Sequence, residues 1–320
     1  MKKLLCLIIS VVSLASAFAF SSCKKDDGSI KIGVLQIDTH DALDSSYRGF
    51  KEVVDAWAAE NGKKIVYKFE NAHGDTNNQS MLASSLVAAK CDMLFGISTG
   101  SAQALMGGTT RIPVLFTAVT DPESSRLTAA NVTGTSDLNP VAEQIKLITK
   151  LVDNCDKIGF LYCSSEINSK LQVDLAIEEC KKQNIAYKSF TAAASSDIQT
   201  VVESIPSSVK AVFIPTDNLF AANIENACGA LAAKKIPAIV GESGMCVKDG
   251  TGAATLGIDY FELGKQTGEM AVKILEGKSP SDLKFEFYSK APTFFINENN
   301  ALAMGISREK IDAVKAEYNK

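Results

Sequence analysis

Short apolar runs alternate with longer stretches whose apolar residues recur every three or four positions, from about residue 30 onward. The short runs read as buried strands and the periodic stretches as amphipathic helices. In the first part of the chain this predicts strands over 30–37, 64–70, 92–97 and 113–118, and helices over 43–61, 77–89 and 101–106. Within 43–61, Leu43, Tyr47, Phe50, Val54 and Trp57 recur at steps of four and three, so one stripe carries them all and Trp57 is expected in the core. Beyond Gly134 the pattern restarts, with helices predicted over 140–152, 168–183, 197–205 and 218–233 and strands over 157–162, 186–190, 211–214 and 238–240. A strand over 255–260, a helix over 262–276, extended pieces at 285–287 and 293–296, and helices over 301–305 and 308–318 complete it. Such alternation predicts parallel sheets covered by helices on both faces.

A weak internal repeat divides the chain into similar halves. In one, residues 93–99 and 111–117 are strands around a helix, and the second begins Arg111-Ile-Pro. In the other, residues 211–217 and 235–241 stand in the same relation, the second beginning Lys235-Ile-Pro. Three stretches, 133–137, 257–260 and 291–296, read as crossings between the halves. The expected domains are therefore 30–134 plus 261–290, and 135–260 plus 291–320.

Ahead of them, Lys2 and Lys3 precede an uncharged, mostly apolar run from 4 to 20, then Ser21, Ser22 and Cys23. This is the layout of a secretory signal over 1–22. The cysteine after small residues resembles a bacterial lipobox, with Phe20 where leucine is usual; Cys23 would be the lipidated first mature residue and 23–29 a linker. Six further cysteines show no C-x-x-C spacing, so neither a zinc site nor a thioredoxin-like pair is indicated.

Composition narrows the chemistry. At 46% hydrophobic and 22% charged, the 320 residues can bury two cores. A net charge of −4 argues against a general nucleic-acid binder. With His40 and His73 the only histidines, a His-rich metal site is excluded, and no cofactor motif occurs: there is no Walker sequence and no G-x-G-x-x-G. Gly241-Glu-Ser-Gly244 narrowly misses the hydrolase elbow because Met245 stands where its last glycine belongs.

Ligands in open α/β sheets bind beyond the carboxyl ends of the strands. The polar residues there are the candidate site: Gln36, His40, Ser98, Thr99, Gln103, Thr120, Asp121, Ser136, Glu166, Asn168, Ser169, Thr216, Asp217, Asn218, Glu242 and Asp259. Helix capping accounts for such residues one at a time, but not for so many groups converging on one edge.

The runs Asn71-Ala-His-Gly-Asp75, Pro113-Val-Leu-Phe-Thr-Ala-Val-Thr-Asp-Pro122, Asn131-Val-Thr-Gly-Thr-Ser-Asp137, Glu166-Ile-Asn-Ser169, Pro215-Thr-Asp-Asn218 and Gly257-Ile-Asp-Tyr260 resemble, in order, the ABC-transporter substrate-binding lipoproteins that include tryptophan- and aromatic-amino-acid-binding members. The resemblance spans roughly 30–306. It implies an α/β fold of the type I periplasmic-binding-protein kind: two Rossmann-like domains with parallel sheets, joined by three hinge crossings. It also implies a small-molecule ligand in the cleft, a permease and an ATPase as partners, a lipid anchor in the membrane, and no catalysis.

For an α-amino acid, a closed cleft must pair both an ammonium and a carboxylate. Asp217 is the expected ammonium partner, with Asp259, Glu166 and Glu242 also at hand. None of Arg48, Arg111, Arg126 and Arg308 falls on a cleft loop, so the carboxylate is expected on backbone N–H groups at helix starts, 98–101 or 166–169. Phe116, Phe220 and Tyr260 are candidates for an aromatic slot. Tryptophan leads as ligand. A branched amino acid, a nucleoside or a sugar on the same fold, a receptor-associated sensor, and a secreted α/β enzyme using Ser243 with His40 are the alternatives.

Overall fold

The computed structural model describes residues 28–318; the expected signal peptide and Cys23 lie outside the described residues. The first sheet is built by β1 (Ile30–Gln36), β2 (Ile65–Asn71), β3 (Met93–Ile97), β4 (Val114–Val119) and β5 (Val132–Ser136). The second is built by β6 (Lys157–Cys163), β7 (Ala186–Ala192), β8 (Ala211–Ile214), β9 (Ala238–Val240) and β10 (Ala254–Gly257). Near the end of the chain β11 (Glu286–Phe287) joins the first sheet and β12 (Thr293–Ile296) the second. The orders are β11-β5-β4-β3-β1-β2 and β12-β10-β9-β8-β6-β7. Every pairing is parallel except that of β12 with β10. Each sheet thus makes one α/β lobe, and the chain passes between them after Ser136, after Gly257 and after Phe287.

Parallel strands need crossover helices. The described α-helices are α1 (Asp41–Glu60), α2 (Thr76–Ala88), α3 (Thr99–Gly108), α4 (Val141–Leu151), α5 (Ile167–Lys182), α6 (Ile198–Glu203), α7 (Asn218–Ala222), α8 (Ile224–Ala233) and α9 (Tyr260–Leu275), which connect strands, and α10 (Glu298–Ala303) and α11 (Arg308–Tyr318), which follow the last one. Helix α1 buries Leu43, Phe50 and Val54, and Phe50 stacks on Phe95 of β3 with centroids 3.9 Å apart. It lies backbone to backbone against α9: a Cβ on Gly49 would fall 2.0 Å from the Phe261 carbonyl oxygen, and one on Gly264 2.0 Å from that of Ser46. Only glycine allows two helices so close.

Three expectations need correction. Residues 133–137, read as a crossing, are mostly β5, whose Val-Thr-Gly-Thr-Ser sequence hides a fully buried strand; the crossing follows it. The helix predicted over 218–233 breaks at Asn223 into α7 and α8. Trp57 is half-buried at the α1–α9 rim rather than in the core, because its indole N–H reaches out to donate to Glu276 at 3.1 Å.

Candidate functional site

The carboxyl ends of the two sheets face each other across a cavity of about 410 Å3. From the first lobe come Ile37 and Asp38 after β1, Gly74 and Thr76 at the start of α2, Gln79 and Ser80 on α2, and Ser98, Thr99, Gly100, Gln103 and Ala104 at the start of α3. From the second come Cys163, Ser165, Glu166, Ile167 and Asn168 between β6 and α5, Ala193 after β7, and Asn218 and Leu219 opening α7. No lysine or arginine is among them.

The first-lobe wall is shaped by one turn. Ser98 has a φ of 110°, a left-handed value that a serine seldom adopts, and it caps α3 by accepting from the Ser101 N–H at 3.3 Å. The turn brings the first residues of α3 to the cavity wall, and no acid stands in the first turn of that helix. The positive end of its dipole is thus open to an anion.

Acids line the remainder. The half-buried Asp38 accepts from its neighbour's backbone, the Thr39 N–H at 2.8 Å. Across the cavity, Glu166 accepts from the Asn218 N–H (3.1 Å), the Asn218 side-chain amide (2.6 Å), the Leu219 N–H (3.0 Å) and the Asn168 side-chain amide (3.1 Å). It therefore holds the start of α7 against the start of α5.

Behind the cavity lies a small chamber of about 20 Å3, lined by His40, Thr120, Asp137, Thr216, Asp217, Glu242 and Tyr260 and sharing Asn168 and Asn218 with the cavity. Asp137, Asp217 and Glu242 are each 2–3% exposed. Burial pushes all three carboxyls up, Glu242 to about 7; the charge of Glu166 raises Asp217 further. His40 has an enclosed ring, is held below its ordinary pKa by desolvation, and contacts Asn218 Oδ1 through Nε2 at 3.3 Å. That contact joins the lobes, as do Lys248 to Asp41 (3.4 Å) and Gln172 to Thr120 (3.4 Å).

Of the predicted residues, Ser98, Thr99, Gln103, Glu166, Asn168 and Asn218 line the cavity, and His40, Thr120, Thr216, Asp217 and Glu242 line the chamber. The other five lie elsewhere. Gln36 is buried and donates to Asp38 O and Asp44 Oδ1, both at 2.7 Å. Asp121 closes a turn on the N–H groups of Glu123 and Ser124, and Asp259 caps α9. Ser136 donates to the Thr120 carbonyl at 2.8 Å, and Ser169 is fully buried in the first turn of α5.

Asp217, the expected ammonium partner, stands off the cavity wall. Its two oxygens accept from the Cys163 N–H (2.6 Å) and the Phe220 N–H (2.9 Å), so it caps α7 and ties it to β6. Asp38 and Glu166 are the acids on the wall itself. The three aromatics expected to form a slot lie off the cavity wall: Phe116 and Phe220 are core residues, and Tyr260 lines the chamber, its hydroxyl donating to Asp137 at 2.6 Å. Ile37, Ala104, Ile167, Ala193 and Leu219 form the apolar wall instead. Among the described residues no cluster of His, Cys, Asp or Glu could hold a metal ion, and all six cysteines there are free.

Thr76, Gln79 and Ser80 were not anticipated, because they lie on α2 and not at a strand end. One signal for them exists in the sequence. The buried stripe of α2 is Gln79, Ala83 and Leu86, at steps of four and three, so a glutamine occupies a core-facing position.

Two α/β lobes with a ligand-sized cavity of mixed polar and apolar lining between their strand ends define a bilobal small-molecule-binding protein. The particular family follows from comparison with known proteins. Residues 31–318 match the model of the ABC transporter substrate binding protein family, and the chain belongs to that family. It is 33% identical to a tyrosine-binding protein of Clostridioides difficile, over 98% of this chain and 95% of that one. It is 33% identical, with a TM-score of 0.79, to an ABC domain in complex with L-Trp from Streptococcus pneumonia, covering 86% of this chain and 95% of that one. To the ligand-free, open structure of a substrate binding protein with adhesive properties from Clostridium difficile it is 35% identical, with a TM-score of 0.65, over 87% of this chain and 96% of that one. Substrate-binding proteins of ABC transporters are extracytoplasmic, and no described helix is long and apolar enough to cross a membrane.

Proposed function

We propose that this chain is the lipid-anchored solute-binding component of an ABC importer, and that its ligand is a free aromatic amino acid, tryptophan or tyrosine. The observation that carries the reading is the charge layout of the cavity. The start of α3, with no acid in its first turn, faces a space whose other charged groups are Asp38 and Glu166. A zwitterion fits that layout, with the carboxylate on the N–H groups at the start of α3 and the ammonium toward the two acids. The volume of about 410 Å3 falls in the range of small-molecule pockets, and the apolar wall can cover a ring without stacking on one.

The names of the relatives support the aromatic choice. The better superposition on the L-Trp complex than on the ligand-free open structure, 0.79 against 0.65, supports a closed arrangement of the lobes. Closure about the three crossings would enclose the ligand and present both lobes to a permease with its ATPase. Cys23 would carry the lipid. An enzymatic use of His40 is disfavoured, since its Nε2 is engaged with Asn218.

A thermal-shift panel of amino acids, nucleosides and sugars tests the ligand. A ligand present at 100 times its Kd stabilises by about 2.7 kcal/mol, a readily measured rise in Tm. Rises with L-tryptophan or L-tyrosine are expected; no rise with any aromatic amino acid would overturn the assignment.

A further inference from the structure

Among the described residues, Gln79 is the one buried side-chain amide on the cavity wall whose oxygen the fold leaves unused. It is 3% exposed, on the core-facing stripe of α2, and its Oε1 has no hydrogen-bond partner among the described residues. A buried acceptor without a donor is costly, and such a cost persists where a ligand removes it. The amide lies directly on the first turn of α3: a Cβ placed on Gly100 would fall 2.7 Å from Oε1 and 3.1 Å from Nε2. Beside it, Thr99 Oγ1 is also buried and unpartnered. Gly100 is what lets the amide reach this place.

We propose that Gln79 reads the zwitterionic head of the ligand and makes a free α-amino acid the substrate class. The inference rests on the amino-acid reading above. A primary amide carries an acceptor and a donor side by side. An α-amino acid carries an ammonium and a carboxylate one carbon apart, the matching pair. With the carboxylate at the start of α3, Oε1 is placed to accept from the ammonium and Nε2 to donate to the carboxylate. N-acylated amino acids and residues peptide-linked through their nitrogen offer Oε1 only an uncharged, bulkily substituted amide N–H, and des-amino acids offer it no donor at all. A site built around a hydrogen bond discriminates strongly against the analogue that lacks it.

The test is calorimetric titration of the full-length chain in detergent with L-tryptophan, N-acetyl-L-tryptophan, indole-3-propionate and L-tryptophanamide, for wild type, Gln79→Leu and Gln79→Glu. Wild type is expected to prefer L-tryptophan strongly over the two ligands without a free ammonium. Gln79→Leu, which keeps the bulk, should weaken both ligands, because both carry the carboxylate that Nε2 serves, but L-tryptophan by at least tenfold more than indole-3-propionate, which has no ammonium for Oε1. Gln79→Glu should move preference toward L-tryptophanamide, whose head has no negative charge, and it decides the matter if Gln79→Leu does not fold. Equal losses for all ligands, or none, would show a structural role and overturn the proposal. If wild type binds a non-aromatic amino acid instead, the aromatic reading fails and the same comparison with that amino acid and its des-amino acid decides Gln79. If it binds no free amino acid, both readings fail.

Discussion

Replacing Glu242 by glutamine should make the protein more resistant to unfolding at neutral pH and leave it unchanged in mild acid. Glu242 is 3% exposed, and its main acceptor bond is from the Gly244 N–H at 2.5 Å. Desolvation raises its carboxyl from an ordinary 4.5 to about 7, with the charges of Asp41 and Asp137 adding to the rise. Between those values the folded chain holds a proton that the unfolded chain has released. The unfolded state then binds fewer protons, so stability falls as pH rises. At about 1.4 kcal/mol per pH unit, over the interval from 4.5 to about 7, the loss approaches about 3.5 kcal/mol and then levels off. Glutamine keeps the carbonyl acceptor for Gly244 and carries no charge, so the variant lacks this loss. Urea unfolding of both proteins at pH 4.5, 6 and 7.5 measures it, as a gap that opens in favour of Glu242→Gln with rising pH. A gap independent of pH, or one closing as pH rises, would show that the backbone donors already satisfy the carboxylate and that the desolvation argument is wrong.

Other outcomes follow from the same geometry. Asp38→Asn and Glu166→Gln should each weaken L-tryptophan binding by about tenfold, near the 1.4 kcal/mol of a charge-assisted hydrogen bond, in titration calorimetry. Glu166→Gln should also lower Tm, because the carboxylate caps α7. Asp217→Ala should cost about 1 kcal/mol of stability as a lost cap, yet change ligand affinity less than threefold; a larger affinity loss would return Asp217 to the role expected from sequence. Gly264→Ala, whose Cβ would lie 2.0 Å from the Ser46 carbonyl oxygen, should destabilise the first lobe by about 1–3 kcal/mol or more in urea melts.

The fold was legible because buried parallel strands are nearly pure apolar runs, as in Met93–Ile97 and Ala211–Ile214. It became illegible where a buried strand is made of Thr, Gly and Ser, as in Val132–Ser136, since those residues also spell a loop. For the site, polarity at strand ends pointed to Ser98, Thr99, Gln103, Glu166, Asn168 and Asn218 on the cavity wall. The same polarity cannot separate a ligand contact from a cap, which is how Asp121 and Asp259 entered the expectation. Asp217 and Glu242 cap helices as well, while facing the chamber. Asp38 needed three dimensions, since it depends on which way the turn after β1 faces; Gln79 left a trace as a glutamine at a core-facing helix position, and only the packing of α2 beside α3 makes it a wall residue.

The central claim is that an aromatic amino acid sits between the start of α3 and the two acids. A crystal structure of the chain grown with L-tryptophan tests it most directly. The account predicts the carboxylate within hydrogen-bond distance of the N–H groups of Thr99 and Gly100, the ammonium facing Asp38 and Glu166, and the ring against Ile37, Ile167 and Leu219. A ligand seated outside the cavity, or bound with its carboxylate turned to the two acids, would contradict it.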